Sequence, residues 1–284
     1  MAINRASIAK QLLPGLNAVF GIEYGEVADE YSVLFEVENS DRAFEEEVLF
    51  TGFGTAPVKG EGAAVQYDNA QESFTSRYTA ETIALAFSVT EEAMEDNLYD
   101  TFAKLRARGL ARSMANTKQT KAADVFNNSF NTAFTGGDGQ PLFSASHPTV
   151  GDGDQSNLIG SAGTVDLSEA ALETALVSIQ TIKDDRGILV GASAESLHVA
   201  PANQFTADRV LNSPYQPNTA DNNINSINHQ GMIPKGYYVN KRFQDGDAFF
   251  IKTDVPNGTK MFVRAPLATK MEPDFDTGNL RFKA

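Results

Sequence analysis

A chain of 284 residues with 42% hydrophobic and 10% aromatic content can bury a substantial core in one large domain or two smaller ones, which excludes a disordered chain. It has no cysteine, so disulfides, thiolate nucleophiles and cysteine metal sites are excluded together. A formal net charge of -14 argues against general affinity for nucleic acid, and no apolar run approaches the roughly eighteen residues needed to cross a bilayer. The N-terminus, MAINR, has no signal-type apolar region. The expectation is a soluble protein made inside the cell, with no membrane partner.

Residues 1–21 are mildly apolar, and Ile8, Leu12 and Leu13 predict a short helical face ending at Pro14 and Gly15. Between positions 23 and 47 there are ten acidic residues, including Glu45, Glu46 and Glu47, against the single basic Arg42. One reading is a solvated acidic surface. The other is an acidic extended arm lying over the basic segment formed by Lys104, Arg106, Arg108, Arg112, Lys118 and Lys121, in the same subunit or a neighbour. Nucleic-acid binding by that basic segment is the competing reading.

Residues 47–89 predict a long two-stranded excursion. Val48, Leu49, Phe50 and Phe53 form a first strand, and Gly52, Gly54, Pro57, Gly60 and Gly62 punctuate a flexible tip. The return strand alternates through Phe74, Ser76 and Tyr78, then in opposite phase through Ile83, Leu85, Phe87 and Val89. The phase change predicts a bulge or a swap of the buried face. Such a hairpin buries little of itself and needs a partner surface.

Residues 90–134 read as one very long helix, around which the rest is organised. Thr90 and the spacing of Ser88 to Glu91 supply caps, and Met94, Leu98, Phe102, Leu105, Leu110, Met114, Ala122, Phe126, Phe130 and Phe134 recur at helical spacing. Unbroken, it would span roughly 65 Å, against about 48 Å for a compact globule of this length. The expectation is a flat, elongated subunit, with a kink allowed at Gly109 or near Asn116 and Thr117, where helix propensity is weakest.

Next comes a loop rich in Gly, Asp, Ser and Asn, to about position 163. Asp138, Asp152, Asp154 and His147 fit no metal loop, and Ser144, Ser146 and His147 lack a nucleophile elbow, whereas turn chemistry accounts for the Gly, Asp and Pro residues. His198 and His229 are isolated, so no catalytic, metal or cofactor residue is assigned. A second helix follows from Asp166, with Leu172, Leu176 and Ile179 on one face. Short strands are predicted at 188–191 and 197–200, then a short helix through Phe205, Val210 and Leu211 and an Asn-rich loop. The remainder is β-rich at 237–239, 248–251, 260–264 and 279–282, which makes the class α+β.

Four stretches together resemble the major capsid proteins of tailed bacteriophages, in the Mu-type major head subunit branch of the HK97-like fold: YTAETIALAFSVTEE at 78–92 leading into a long helix, GDGQPLFSASHP at 137–148, LHVAP at 197–201, and LNSPYQP at 211–217 with its Asn-rich tail. The resemblance implies an N-terminal arm at 1–46, an E-loop hairpin at 47–89, a P-domain with its spine helix at 90–163, an A-domain at 164–262, and C-terminal strands at 263–284 returning to the P-domain. It implies a structural protein that self-assembles as pentamers and hexamers into an icosahedral shell enclosing double-stranded phage DNA without binding it specifically. Portal, scaffolding and decoration proteins are implied partners, and the implied location is the virion capsid, assembled in the host bacterial cytoplasm. The chain starts almost directly at the arm, so a scaffolding region is expected to be separate, absent or removed.

The inter-subunit contact candidates are Lys59, Phe53, Tyr67 and Phe74 in the hairpin, Arg106, Arg108 and Arg112 on the helix, and Glu45, Glu46 and Glu47 in the arm region. Lys59, the lysine of the hairpin tip, is also where covalent crosslinking known from some members would fall. Two alternatives remain: an encapsulin-like shell around protein cargo, and a soluble hydrolase using Ser146 and His147 or the nearby aspartates.

Overall fold

In this computed structural model the described residues are 5–90, 92, 99–151, 153–160, 165–217, 222–274 and 277–284. Helix α1 (Arg5–Gly25) runs through Pro14 and Gly15, where the sequence reading ends it. Tertiary packing overrides the breaker: Leu16 and Phe20, one turn apart, are both buried, and Phe20 stacks on Tyr24 with ring centroids 6.1 Å apart.

The central element is α2 (Tyr99–Asn127), about 43 Å long at 1.5 Å per residue. It is continuous through Gly109 and through Asn116 and Thr117, so no break is needed there. It stops at Asn127, before Phe130 and Phe134, because Asn128 Nδ2 folds back onto the Asp124 carbonyl at 2.9 Å and Ser129 N turns tightly onto Phe126 O. Met94 and Leu98 lie outside the described residues, as does the side chain of Phe102. Leu105, placed on the buried face by its spacing, is 63% exposed. The buried stripe instead runs through Ala103, Ala107 and Ala111 with Leu110 and Met114, because small side chains let α1 lie close along the helix.

Strand β1 (Glu36–Asn39) pairs in parallel with β8 (Lys260–Val263). Strands β2 (Phe44–Phe50) and β3 (Glu72–Thr79) form the antiparallel hairpin, with Glu45 opposite Tyr78 and Glu46 opposite Arg77, and the register slips between Val48 and Phe50. The chain then leaves the hairpin. Strand β4 (Ala86–Val89) pairs with β10 (Leu280–Lys283), which also pairs with β9 (Lys270–Pro273). The phase change in the return strand thus marks a change of sheet.

After the loop, Ser168 caps α3 (Glu169–Gln180) by accepting from Ala171 N at 3.2 Å. Strand β5 (Ala194–Val199) is central, parallel to β6 (Tyr237–Val239) and antiparallel to β7 (Phe249–Thr253). Residues 188–191 form no strand of this sheet; Leu189 makes an isolated bridge to Lys183 instead, because the 184–187 turn folds the segment on itself. Helix α4 (Gln204–Asn212) stands as the sequence places it, and α5 (Ser226–Gln230), unforeseen, is capped by Asn225.

Three cores result. Leu16, Phe20, Ala107 and Phe282 join α1, the first half of α2 and β10. Tyr31, Leu34, Phe35, Phe126, Phe243 and Phe250 join the second half of α2 to the segment at 31–35 before it and to residues 243–250 after it, with Phe126 edge-on to Phe35 and Phe250. Leu172, Leu176, Leu197, Val199, Val210 and Ile227 seal α3, α4 and α5 against the β5 sheet. One long helix therefore ties two cores together, in an α+β arrangement.

Candidate assembly interface

Between Thr51 and Gln71 the hairpin has no regular structure. Its neck is closed by Thr51, which donates from its backbone to Gln71 O and accepts from Gln71 N on Oγ1, both at 2.9 Å. Beyond the neck, Phe53 is exposed, Lys59 is exposed beside a fully exposed Val58, and Tyr67 is 92% exposed. Phe74, on β3, is half-buried. A two-stranded ribbon with this apolar load has too little inner surface to cover it.

The acidic residues at the hairpin base have partners within the chain. Glu45 accepts from Ser40 Oγ at 2.6 Å, Glu46 pairs with Arg77 at 2.9 Å, and Glu47 takes Lys260 Nζ at 2.5 Å. That hydrogen bond to Glu47 is the main reason the Lys260 amine is held above its ordinary range. Burial and the Glu47 charge also push up the Tyr78 phenol, which lies against Phe262.

The structure joins the acidic segment to the basic stretch of α2 inside one subunit. Glu23, on α1 and not in an extended arm, pairs with Arg112 and lies 3.8 Å from Arg108. Arg106 is exposed on the same helix. Further along, Gln119, 3% exposed, accepts from Glu30 N and Tyr31 N and donates to Ala28 O and Asp29 Oδ1. Lys118 donates to the Tyr31 hydroxyl, and Arg242 bridges Glu30 and Asn116. Gln119 and Arg242 escape the sequence reading; a lone glutamine on the inward face of an otherwise apolar stripe is the one signal available for the first.

The loop after α2 packs on the hairpin. A Cβ at Gly137 would lie 2.8 Å from Thr75 O, so only glycine permits this approach. Asp138 Oδ2 holds His147 Nδ1 at 2.6 Å, but His147 Nε2, where a nucleophile would have to sit, has no hydrogen-bond partner, and Ser144 Oγ bonds Gln140 instead. Clefts of about 430 and 500 Å³ flank β7, and neither Ser146 nor His147 lines them. Ser196 Oγ and His198 Nε2 do meet at 2.9 Å, but both residues are sealed in β5. Burial, helped by Lys252, pushes that imidazole down to about 4, so it is a neutral structural group. Among the described residues no cluster suited to a metal is present, and no helix is long and apolar enough to cross a membrane.

The chain exposes 18082 Å², whereas a compact protein of 30.6 kDa exposes roughly 11900 Å².

A family model described as phage capsid protein matches residues 72–284. Among solved structures, the procapsid of bacteriophage JBD30 aligns with a TM-score of 0.59 at 14% identity, over 84% of this chain and 100% of that one. The JBD30 capsid decorated with minor capsid protein trimers aligns with a TM-score of 0.58 at 12% identity, over 77% and 92%. A virus-like particle from Pyrococcus furiosus aligns with a TM-score of 0.50 at 10% identity, over 95% and 91%. At these identities the likeness is one of fold, and it bears out the HK97-like capsid fold. No curated protein matches the sequence.

Proposed function

The chain belongs to the phage capsid protein family, and on that premise we propose that it is the major head subunit, assembling with its own copies as pentamers and hexamers into the icosahedral shell around double-stranded phage DNA. The exposed area carries this reading. A surplus of roughly 6000 Å² over a compact monomer is the amount that a few obligate interfaces of about 2000 to 5000 Å² consume. In this reading residues 1–46 are the arm, 47–89 the E-loop, 90–163 the P-domain, 164–262 the A-domain and 263–284 the returning strands. The Mu-type branch is its finer form, supported by the four motifs. Portal, scaffolding and decoration proteins are the expected partners, as the JBD30 capsid carries minor capsid protein trimers. The location is the virion capsid, with assembly in the host cytoplasm.

A compartment shell around protein cargo is the second and less supported reading; the virus-like particle from Pyrococcus furiosus shares the fold. Negative-stain microscopy of the purified protein should show closed shells, and double-stranded DNA inside particles made during infection decides for the head. Deleting residues 55–68 should leave a folded subunit that forms no shells; normal particles would refute the hairpin's role.

A further inference from the structure

Asn257 and Gly258, in the bend between β7 and β8, are the one Asn-Gly pair of the chain. Asn257 is exposed and has a φ of 60°, the one non-glycine residue with a left-handed backbone among the described residues. The fold does not demand glycine at 258. Its backbone is not left-handed, and a Cβ added there would meet nothing nearer than Val255 O at 4.0 Å. What glycine supplies is an unshielded backbone nitrogen beside an amide side chain. That N–H donates to no backbone carbonyl among the described residues.

The asparagines that precede serine differ. After Asn39, Asn128 and Asn212 the downstream N–H is held: Ser40 N by Val263 O at 3.1 Å, Ser129 N by Phe126 O at 3.2 Å and Ser213 N by Arg209 O at 3.2 Å. Asn225 is itself fully buried, its amide donating to Val210 O and accepting from Ile227 N. In each case the nucleophile or the amide is locked, whereas at 257 and 258 the two can meet.

We propose that Asn257 is a site of spontaneous modification, converting through a cyclic imide to aspartate and isoaspartate, and that the isoaspartyl product loosens the entry to β8. Gly258 N gives its proton to hydroxide and attacks Asn257 Cγ. The new N–C bond closes a succinimide, and the bond from Cγ to the side-chain nitrogen breaks, releasing ammonia. Water then opens the ring at one carbonyl or the other, giving isoaspartate or aspartate, with no oxidant or reductant involved. Either product makes the net charge of -14 one unit more negative. Isoaspartate also adds a carbon to the backbone just before Thr259. Thr259 O accepts from Glu36 N at 2.9 Å and Thr259 Oγ1 donates to Leu34 O at 2.5 Å, the contacts that start the parallel register of Glu36 with Lys260.

Ageing the purified subunit at mildly alkaline and at mildly acidic pH tests this. In the tryptic peptide 253–260 Asn257 is the only asparagine, so mass spectrometry reads it alone. The amide should be lost at a rate that rises with hydroxide, yielding two products of equal mass that separate on a column. Gly258→Val should slow the loss about tenfold or more, because a branched Cβ hinders approach of its own nitrogen. The aged protein should have a lower urea midpoint than the fresh one, and Asn257→Gly, which keeps the left-handed backbone but has no amide, should not change with age. An intact Asn257 in protein that loses amides elsewhere overturns the site. A single aspartate product, or equal loss in Gly258→Val, overturns the cyclic route. Equal midpoints before and after complete conversion overturn the loosening of β8.

Discussion

Glu23, in the last turn of α1, holds its carboxylate against Arg112 of α2 with the acid side chain only 9% exposed and the arginine 70% exposed. The asymmetry decides what each side contributes. The carboxylate has given up its water, and Arg112 with Arg108 replaces it from the solvent side.

Reversing Arg108 and Arg112 to glutamate should therefore destabilise the isolated subunit itself, by about 3 kcal/mol, since a nearly buried charge is left without compensation. Glu23→Gln should cost less, because it removes the charge along with the pair. Denaturant unfolding of the unassembled subunit measures both, and equal midpoints for the reversal variant and the unaltered protein would contradict this account.

Gln119 is the polar pin between α2 and the segment at 28–31. Replacing it with leucine preserves volume but orphans Glu30 N and Tyr31 N, the second of which is a buried contact. The cost should be roughly 2 to 4 kcal/mol, as expected for unsatisfied buried donors, read as a lower urea midpoint with an unchanged slope.

His198 makes the fold acid-sensitive. Its imidazole titrates near 4 in the folded chain, because of burial and Lys252, and near 6.5 when unfolded. Between those values the unfolded state binds a proton that the native state refuses, so the stability contribution is complete above about 6.5 and falls by roughly 3 kcal/mol as pH drops towards 4. A His198→Gln variant should show a flatter stability profile between pH 6.5 and 4. Identical slopes in the two proteins would exclude His198 as the source.

Duplex DNA should not bind the purified subunit at physiological salt. Glu23 engages Arg108 and Arg112, Glu81 engages Lys121 at 3.0 Å, and the net charge of -14 is repeated on every copy. An anisotropy titration that finds micromolar binding with a steep salt slope would revive the nucleic-acid reading of residues 104–121.

The interface was only half legible in the chain. Gly52, Gly54, Gly60 and Gly62 announce a tip without regular structure, and apolar strands with a Gly-rich tip announce a need for a partner, because both follow from local backbone freedom and burial. Asp68 and Arg186, whose side chains pair at 2.9 Å between the hairpin tip and the turn after α3, do not announce each other. They are 118 positions apart, both sit among turn residues, and nothing in periodicity links two charged side chains across separate loops.

What the sequence by itself determined is whatever local chemistry and periodicity decide: the α+β class, the long helix as organiser, the hairpin, α4, and the strands near the C-terminus. Only the tertiary structure decided where those elements stop and whom they meet. Leu105 has the right spacing to be buried but lies on the outer face, and alanines take the inner one, because α1 packs closely there. Pro14 has the right chemistry to end a helix but lies inside one, because Leu16 and Phe20 are buried beyond it. In both cases contacts between segments far apart in the chain outweigh a local preference of about 1 to 3 kcal/mol, and such contacts leave no periodic trace in the order of residues.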